Sequence, residues 1–107
     1  DQEEFWVVWL NARNVVEGSC LLYKGSQDAT TVRVSEVFKL AVGKNANAVM
    51  VAHNHPSGDP SESPEDVNMT RAIIEAGKLL DIRVLDHVII GLHGFTSIRQ
   101  KHPSLWA

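Results

Sequence analysis

The apolar run at residues 48–52 constrains the fold more than any other part of the sequence. Five consecutive apolar residues, AVMVA, are typical of a short strand that is buried on both faces. His53 follows at once, at the carboxyl end of the predicted strand, which is where α/β folds usually place ligands. We therefore expect one α/β domain over residues 1–107, with a functional site at the end of its central strand.

Other segments predict a mixed sheet packed with two helices. Strands are expected at residues 5–10, 15–23, 30–34 and 82–90, and the turn at 11–14 predicts a hairpin. One helix is expected from a Ser35 cap to about Lys44, and a second over 64–80. The predicted buried stripes are Val37, Phe38, Ala41 and Val42, then Val67, Ala72, Ile73, Ala76 and Leu80. A turn at 91–95, a short strand and a frayed tail complete the expectation.

Two histidines and one aspartate have the spacing of a metal site. His53 and His55 are two residues apart, so on an extended strand their side chains point to the same side. Asp66 needs only a turn to return to them. Two imidazoles with one carboxylate suit Zn²⁺, and three protein ligands leave the open fourth position of a catalytic zinc.

Asp66 also has a structural interpretation. Ser63 can cap a helix whose first residue is Pro64, and Glu65 and Asp66 then face the positive end of the helix dipole. The two interpretations are compatible, because a capped helix start would orient Asp66 as a ligand.

These residues resemble a known signature. The spacing His-x-His-Pro, six residues, then Ser-x-x-Asp matches the JAMM (MPN-type) zinc metallopeptidases, and the stretch 53–61 resembles the bacterial RadC branch, usually labelled DNA repair proteins. Residues 34–38 and the sequence Leu85-Asp86-His87 add to a likeness that runs from about Glu3 to His93. It implies a cytidine-deaminase-like architecture, in which a mixed sheet is packed with helices. It also implies the C-terminal domain of a longer protein.

The resemblance also implies roles for single residues. The zinc ligands would be His53, His55 and Asp66. Ser63 would help to stabilise the oxyanion, and a glutamate early in the first strand would be the general base that activates water. Glu3 is favoured because RadC-like chains place an acid two residues before an aromatic here, and Glu4 is the reserve. A solvated acid near a chain end remains the alternative for Glu3.

The leading hypothesis is a zinc-dependent hydrolase of amide or isopeptide bonds in a protein or peptide-like substrate. A DNA-repair accessory module is the second, but a net charge of −3 and a pI near 5.9 give no broad basic surface. Nucleic acid would therefore bind only through an upstream region missing here. A metal-binding scaffold without catalysis is the third, although such relatives generally lack the ligands that this chain has.

The remaining cysteine and histidine patterns add limits. Zinc deaminases need His-x-Glu with Pro-Cys-x-x-Cys, whereas this chain has one cysteine, Cys20, expected to be a small buried hydrophobe. Asp86 and His87 lie next to each other on a predicted strand, so one of them should meet the core or a hydrogen-bond partner, and either could support the site. A lone cysteine and the lack of a signal peptide or apolar run of membrane length favour the cytoplasm.

Overall fold

The computed structural model describes residues 2–25 and 32–107. Within them the chain forms a mixed five-stranded sheet with three helices, an α/β fold as expected. The elements are β1 (Glu3–Leu10), β2 (Val16–Gly25), α1 (Val34–Gly43), β3 (Ala48–Asn54), α2 (Pro64–Leu80), β4 (Arg83–Ile90), β5 (Phe95–Ser97) and α3 (Ile98–Lys101), then a 3₁₀ turn, Pro103–Trp106. The strand order is β2-β1-β3-β4-β5, in which only β3 and β4 run parallel.

The central position predicted for the apolar run is confirmed. Strand β3 lies in the middle of the sheet, and its Val49 and Val51 are fully buried beside Phe5 and Val7 of β1. The same core cluster contains the buried apolar residues of both long helices, so α1 and α2 pack on one face of the sheet. Those helix residues are Val37, Phe38, Ala41, Met69, Ile73 and Ile74.

The β3–α2–β4 crossover has the predicted helix bounds. Ser63 caps α2, Pro64 is its first residue, and Asp81 ends it in the left-handed region at φ 56°. Near this end α2 approaches β4 so closely that a Cβ on Gly77 would lie 2.5 Å from the Ile82 carbonyl oxygen. Glycine is therefore required where the helix turns into the strand.

The start of α1 differs from the prediction. The helix begins at Val34, and its N-cap residue, Arg33, makes no side-chain capping bond. Ser35 lies inside the first turn, so the predicted Ser35 cap is wrong, and Val42 is 58% exposed rather than part of the stripe. The strand predicted at 30–34 lies partly outside the described residues, and its last residue already belongs to α1.

The buried stripe of α2 is also different from the predicted one. Ala72 and Leu80 are exposed, and only Ile73 of the predicted set is fully buried. The observed buried residues are Asp66, Met69, Thr70, Ile73, Ile74 and Gly77. An apolar pattern assigns Asp66 and Thr70 to the solvent, but both face the sheet, where hydrogen-bond partners offset the cost of their burial.

The tail is packed rather than frayed. Ile98 is fully buried, and the Trp106 indole Nε1 donates a hydrogen bond to the Val84 carbonyl oxygen at 2.7 Å. Cys20 is partly exposed on the edge strand β2, contrary to the expected burial. In residues 2–25 and 32–107, the helices are all too short or too polar to cross a membrane.

Candidate metal centre

Three side chains meet where β3 ends and α2 begins. His53 is the sixth residue of β3, His55 follows its last residue, and Asp66 is the third residue of α2. The His55 amide donates to the Ile90 carbonyl at 3.1 Å, which continues the pairing with β4 beyond the strand end. A turn then reverses the chain, with the Gly58 amide bonded to the His55 carbonyl and Gly58 at φ 87°, a value that favours glycine.

The two imidazole nitrogens and the two carboxylate oxygens of these residues lie close together. His53 Nε2 lies 3.2 Å from Asp66 Oδ1 and 3.2 Å from His55 Nε2, and His55 Nε2 lies 3.1 Å from Asp66 Oδ2. The side chains of His53 and Asp66 are each 2% exposed, whereas that of His55 is 19% exposed. The group could therefore hold a metal ion that is buried on two sides and open on the His55 side.

The helix start holds the aspartate in place. The Ser63 amide donates to Asp66 Oδ2 at 2.9 Å, and the Asp66 amide donates to Ser63 Oγ at 3.0 Å, which is a reciprocal capping box. Asp66 is thus both a capping acid and a member of the cluster. Burial acts to raise the pKa of Asp66, but the interaction with His53 and the hydrogen bond from the Ser63 amide outweigh it and hold that pKa well below its usual range.

The protonation of His55 supports a cation at this point. Its Nδ1 lies 3.0 Å from the Asp59 carbonyl oxygen, and a carbonyl only accepts, so Nδ1 carries the proton. In the neutral ring, Nε2 then carries a lone pair that faces the ionised Asp66 carboxylate at 3.1 Å. Two acceptors at this distance need a cation between them, so the donor set fits a metal ion.

Behind His53 lies a second, fully buried histidine. His87 Nε2 is 2.8 Å from His53 Nδ1, and His87 Nδ1 is 2.6 Å from Thr70 Oγ1. Burial, with a further contribution from the charge that His53 gains on protonation, lowers the pKa of His87 to about 3, so His87 is neutral at physiological pH. The expectation that one residue of the Asp86-His87 pair meets the core is confirmed.

Strand β1 covers the other side of the site. The Phe5 ring stacks on His53 with 6.0 Å between ring centroids, and Glu3 lies two residues earlier on the same face of β1. Glu4 faces the other way, where its Oε1 accepts a hydrogen bond from Trp6 Nε1 at 2.9 Å. The catalytic roles of Glu3 and Ser63 stay predictions.

Sequence reasoning missed Thr70 as part of the site. Its hydroxyl lies between the Asp66 carbonyl oxygen and His87 Nδ1, at 2.7 and 2.6 Å. The available signal was its spacing, because residues i and i+4 share one helix face and Asp66 was already assigned to the metal.

Comparisons with known proteins agree with this layout. Residues 1–103 match the family described as RadC-like JAB domain. A UPF0758 protein from Roseiflexus castenholzii is 50% identical over 101 residues, which cover 94% of this chain and 43% of the relative. A UPF0758 protein from Clostridium botulinum is 45% identical over 100 residues, which cover 94% and 44%. The chain thus spans less than half the length of the curated relatives it matches.

Proposed function

The chain belongs to the RadC-like JAB domain family, and on that premise we propose that it is a zinc-dependent hydrolase that cleaves an amide or isopeptide bond. One observation carries the proposal, namely the convergence of two imidazole nitrogens and a carboxylate at the end of the central strand. The substrate class is a protein or another peptide-like molecule.

The spacing of the three ligand atoms favours zinc as the metal. Tetrahedral zinc with ligands 2.0–2.1 Å away requires neighbouring ligand atoms about 3.3 Å apart. The two imidazole Nε2 atoms are 3.2 Å apart, and each has one carboxylate oxygen of Asp66 within 3.2 Å, Oδ1 for His53 and Oδ2 for His55. Two nitrogens and one oxygen are an ordinary donor set for zinc, and three protein ligands leave one position for water or substrate.

The residues around the ligands supply the remaining chemistry. When bound, zinc acts as a Lewis acid and makes water a better nucleophile at neutral pH. The Glu3 carboxylate accepts a proton from the attacking water and passes it to the leaving amine. The Ser63 Oγ accepts a hydrogen bond from the Asp66 amide. The hydroxyl hydrogen of Ser63 is therefore available to donate to the developing oxyanion.

The faces of β1 support Glu3 over Glu4 as this base. Neighbouring residues on a strand point to opposite sides, and Glu3 shares the side of Phe5, which contacts His53. The Glu4 carboxylate is bonded to Trp6 on the far side. The two glutamates therefore form a matched pair for an experiment.

We expect Glu3→Gln to lower hydrolysis by roughly 10²–10⁴-fold, because it removes the proton acceptor and keeps the size of the side chain. Zinc content should stay at the wild-type level, and Glu4→Gln should keep nearly full activity. The assay uses zinc-loaded protein with a library of fluorescence-quenched peptides and isopeptides, with zinc measured by elemental analysis.

Two results would contradict the proposal. If Glu3→Gln hydrolyses the library as fast as wild type, Glu3 is not the base. If zinc-loaded wild type cleaves no amide at all, the domain is a metal-binding scaffold or an accessory module instead.

A further inference from the structure

His87 and Thr70 are buried polar residues that the proposed mechanism does not use. Neither can contact a substrate, because their exposures are 0% and 1%. They form a continuous chain of hydrogen bonds that runs from the Asp66 carbonyl through Thr70 and His87 to His53. The direction of each bond in this chain can be worked out from its first member.

The Asp66 carbonyl sets the direction, since a carbonyl oxygen only accepts. The Thr70 hydroxyl has one hydrogen and must donate it to that carbonyl, at 2.7 Å. Thr70 Oγ1 can then only accept from His87 Nδ1, at 2.6 Å. In neutral His87 the other nitrogen, Nε2, is left without a hydrogen and acts as an acceptor.

The same logic continues to the metal ligand. His87 Nε2 accepts, so the bond of 2.8 Å must be donated by His53 Nδ1. A neutral His53 with its hydrogen on Nδ1 has a lone pair on Nε2, which is the atom 3.2 Å from Asp66 Oδ1. The buried chain therefore selects the tautomer of His53 that can bind a metal.

We propose that Thr70 and His87 are positioning residues that fix the tautomer and ring orientation of His53 through this one-way chain of hydrogen bonds. The inference rests on the proposed function for its purpose, but its geometry is independent of any substrate. Helix α2 thus contributes twice, because Asp66 is a ligand by its side chain and its carbonyl orients the opposite ligand through Thr70.

Thr70→Val and Thr70→Ser form the matched pair that tests it. Valine has the shape of threonine without the hydroxyl, so His87 can move its hydrogen to Nε2 and force the wrong tautomer on His53. Serine keeps the hydroxyl. We expect Thr70→Val to weaken Zn²⁺ binding by about 10- to 100-fold, the usual effect of removing a group that orients a ligand, and Thr70→Ser to stay close to wild type.

Two measurements are needed on the protein carrying each substitution. Competition with a chromophoric chelator gives the Zn²⁺ dissociation constant, and ¹⁵N NMR of the imidazoles in metal-free protein reports which His53 nitrogen carries the hydrogen. Wild type and Thr70→Ser should show the hydrogen on Nδ1, and Thr70→Val should lose that preference. A general loss of stability would not change the tautomer.

The proposal is overturned if Thr70→Val binds Zn²⁺ as tightly as wild type, or if its His53 keeps the hydrogen on Nδ1. Failure of the proposed hydrolase activity looks different. In that case zinc-loaded wild type cleaves no amide, while the Thr70→Val and Thr70→Ser proteins still differ in zinc affinity and in tautomer.

Discussion

The two ends of the parallel β3–β4 pair are built differently. At the carboxyl end, the Nε2 atoms of His53 and His55 lie 3.2 Å apart, and each has an Asp66 carboxylate oxygen within 3.2 Å. At the amino end lies a wider cleft of about 770 Å³, which we call the basal cleft. Its lining includes Asn47, Gly77, Lys78, Asp81, Arg83, Val84, Arg99 and Trp106.

The cations of the basal cleft are each held by a separate partner. Arg83 Nη2 reaches the Ala12 carbonyl at 3.5 Å, and Arg99 Nη1 reaches the Leu85 carbonyl at 3.0 Å. The Arg99 guanidinium also lies 5.6 Å from the centre of the Trp106 ring. These groups do not converge on one point. The candidate metal site is therefore marked by the convergence of lone pairs and not by the size of a cavity.

The largest expected effect comes from removing one of the three candidate ligands. We expect His55→Ala to lower Zn²⁺ affinity by more than about 100-fold, because it removes one of three protein ligands. Because the His55 side chain is 19% exposed and lies outside the hydrophobic core, the substitution should leave the core folded. Elemental analysis after mild chelation and dialysis gives the zinc content.

Arg83→Ala in the basal cleft is the control for that experiment and should keep wild-type zinc content. Equal zinc in wild type and His55→Ala would refute the assignment of the carboxyl end. Loss of zinc in Arg83→Ala alone would move the site to the opposite end of the sheet.

Acid should destabilise the carboxyl end specifically. The pKa of His87 in the folded chain, about 3, lies below its ordinary value of 6.5, so the unfolded chain binds a proton that the folded one excludes. Stability from neutral His87 is complete above pH 6.5 and is lost as the pH falls toward 3. The loss approaches about 1.4 kcal/mol per pH unit inside that window.

Urea unfolding of metal-free protein between pH 7 and pH 4 measures this slope. His87→Gln should show a shallower slope than wild type, whereas Arg83→Ala should keep the wild-type slope because Arg83 lies in the basal cleft, away from His87. Identical slopes for wild type and His87→Gln would mean that His87 does not carry the effect.

The smallest expected effect concerns the capping box at the start of α2. Ser63→Ala removes the hydroxyl that accepts from the Asp66 amide, and we expect a loss of about 1 kcal/mol in unfolding free energy. Ser35→Ala is the matched control, since Ser35 caps no helix, and should change stability by less than about 0.5 kcal/mol. Equal losses in the two proteins would contradict the capping box.

The sequence predicted the fold where local signals agree with tertiary packing. The apolar run predicted β3, and Ser63 with Pro64 predicted the start of α2. Both predictions rest on local sequence signals, and the structure confirms both. At α1 two cap positions compete, and the core contacts of Val37 and Phe38 decide the outcome rather than Ser35. Such packing cannot be read from one segment alone.

The candidate site shows the same division. His53, His55 and Asp66 lie within one short segment whose spacing carries the information. The partnership of Thr70 with His87 depends on the pairing of β3 with β4, in which Val51 lies beside His87. Hydrophobic patterning assigns a threonine and an aspartate to the solvent, so it misses polar residues that are buried because they bond to one another.

The unequal exposure of the three ligands has a kinetic consequence. His53 and Asp66 are enclosed, so a metal ion or a chelator can approach and leave only past the His55 ring. On the side away from the other ligands, the His55 ring is bonded through Nδ1 to the Asp59 carbonyl, within the turn that contains Gly58. We therefore expect the opening of this turn, rather than ligand strength alone, to set the residence time of the ion.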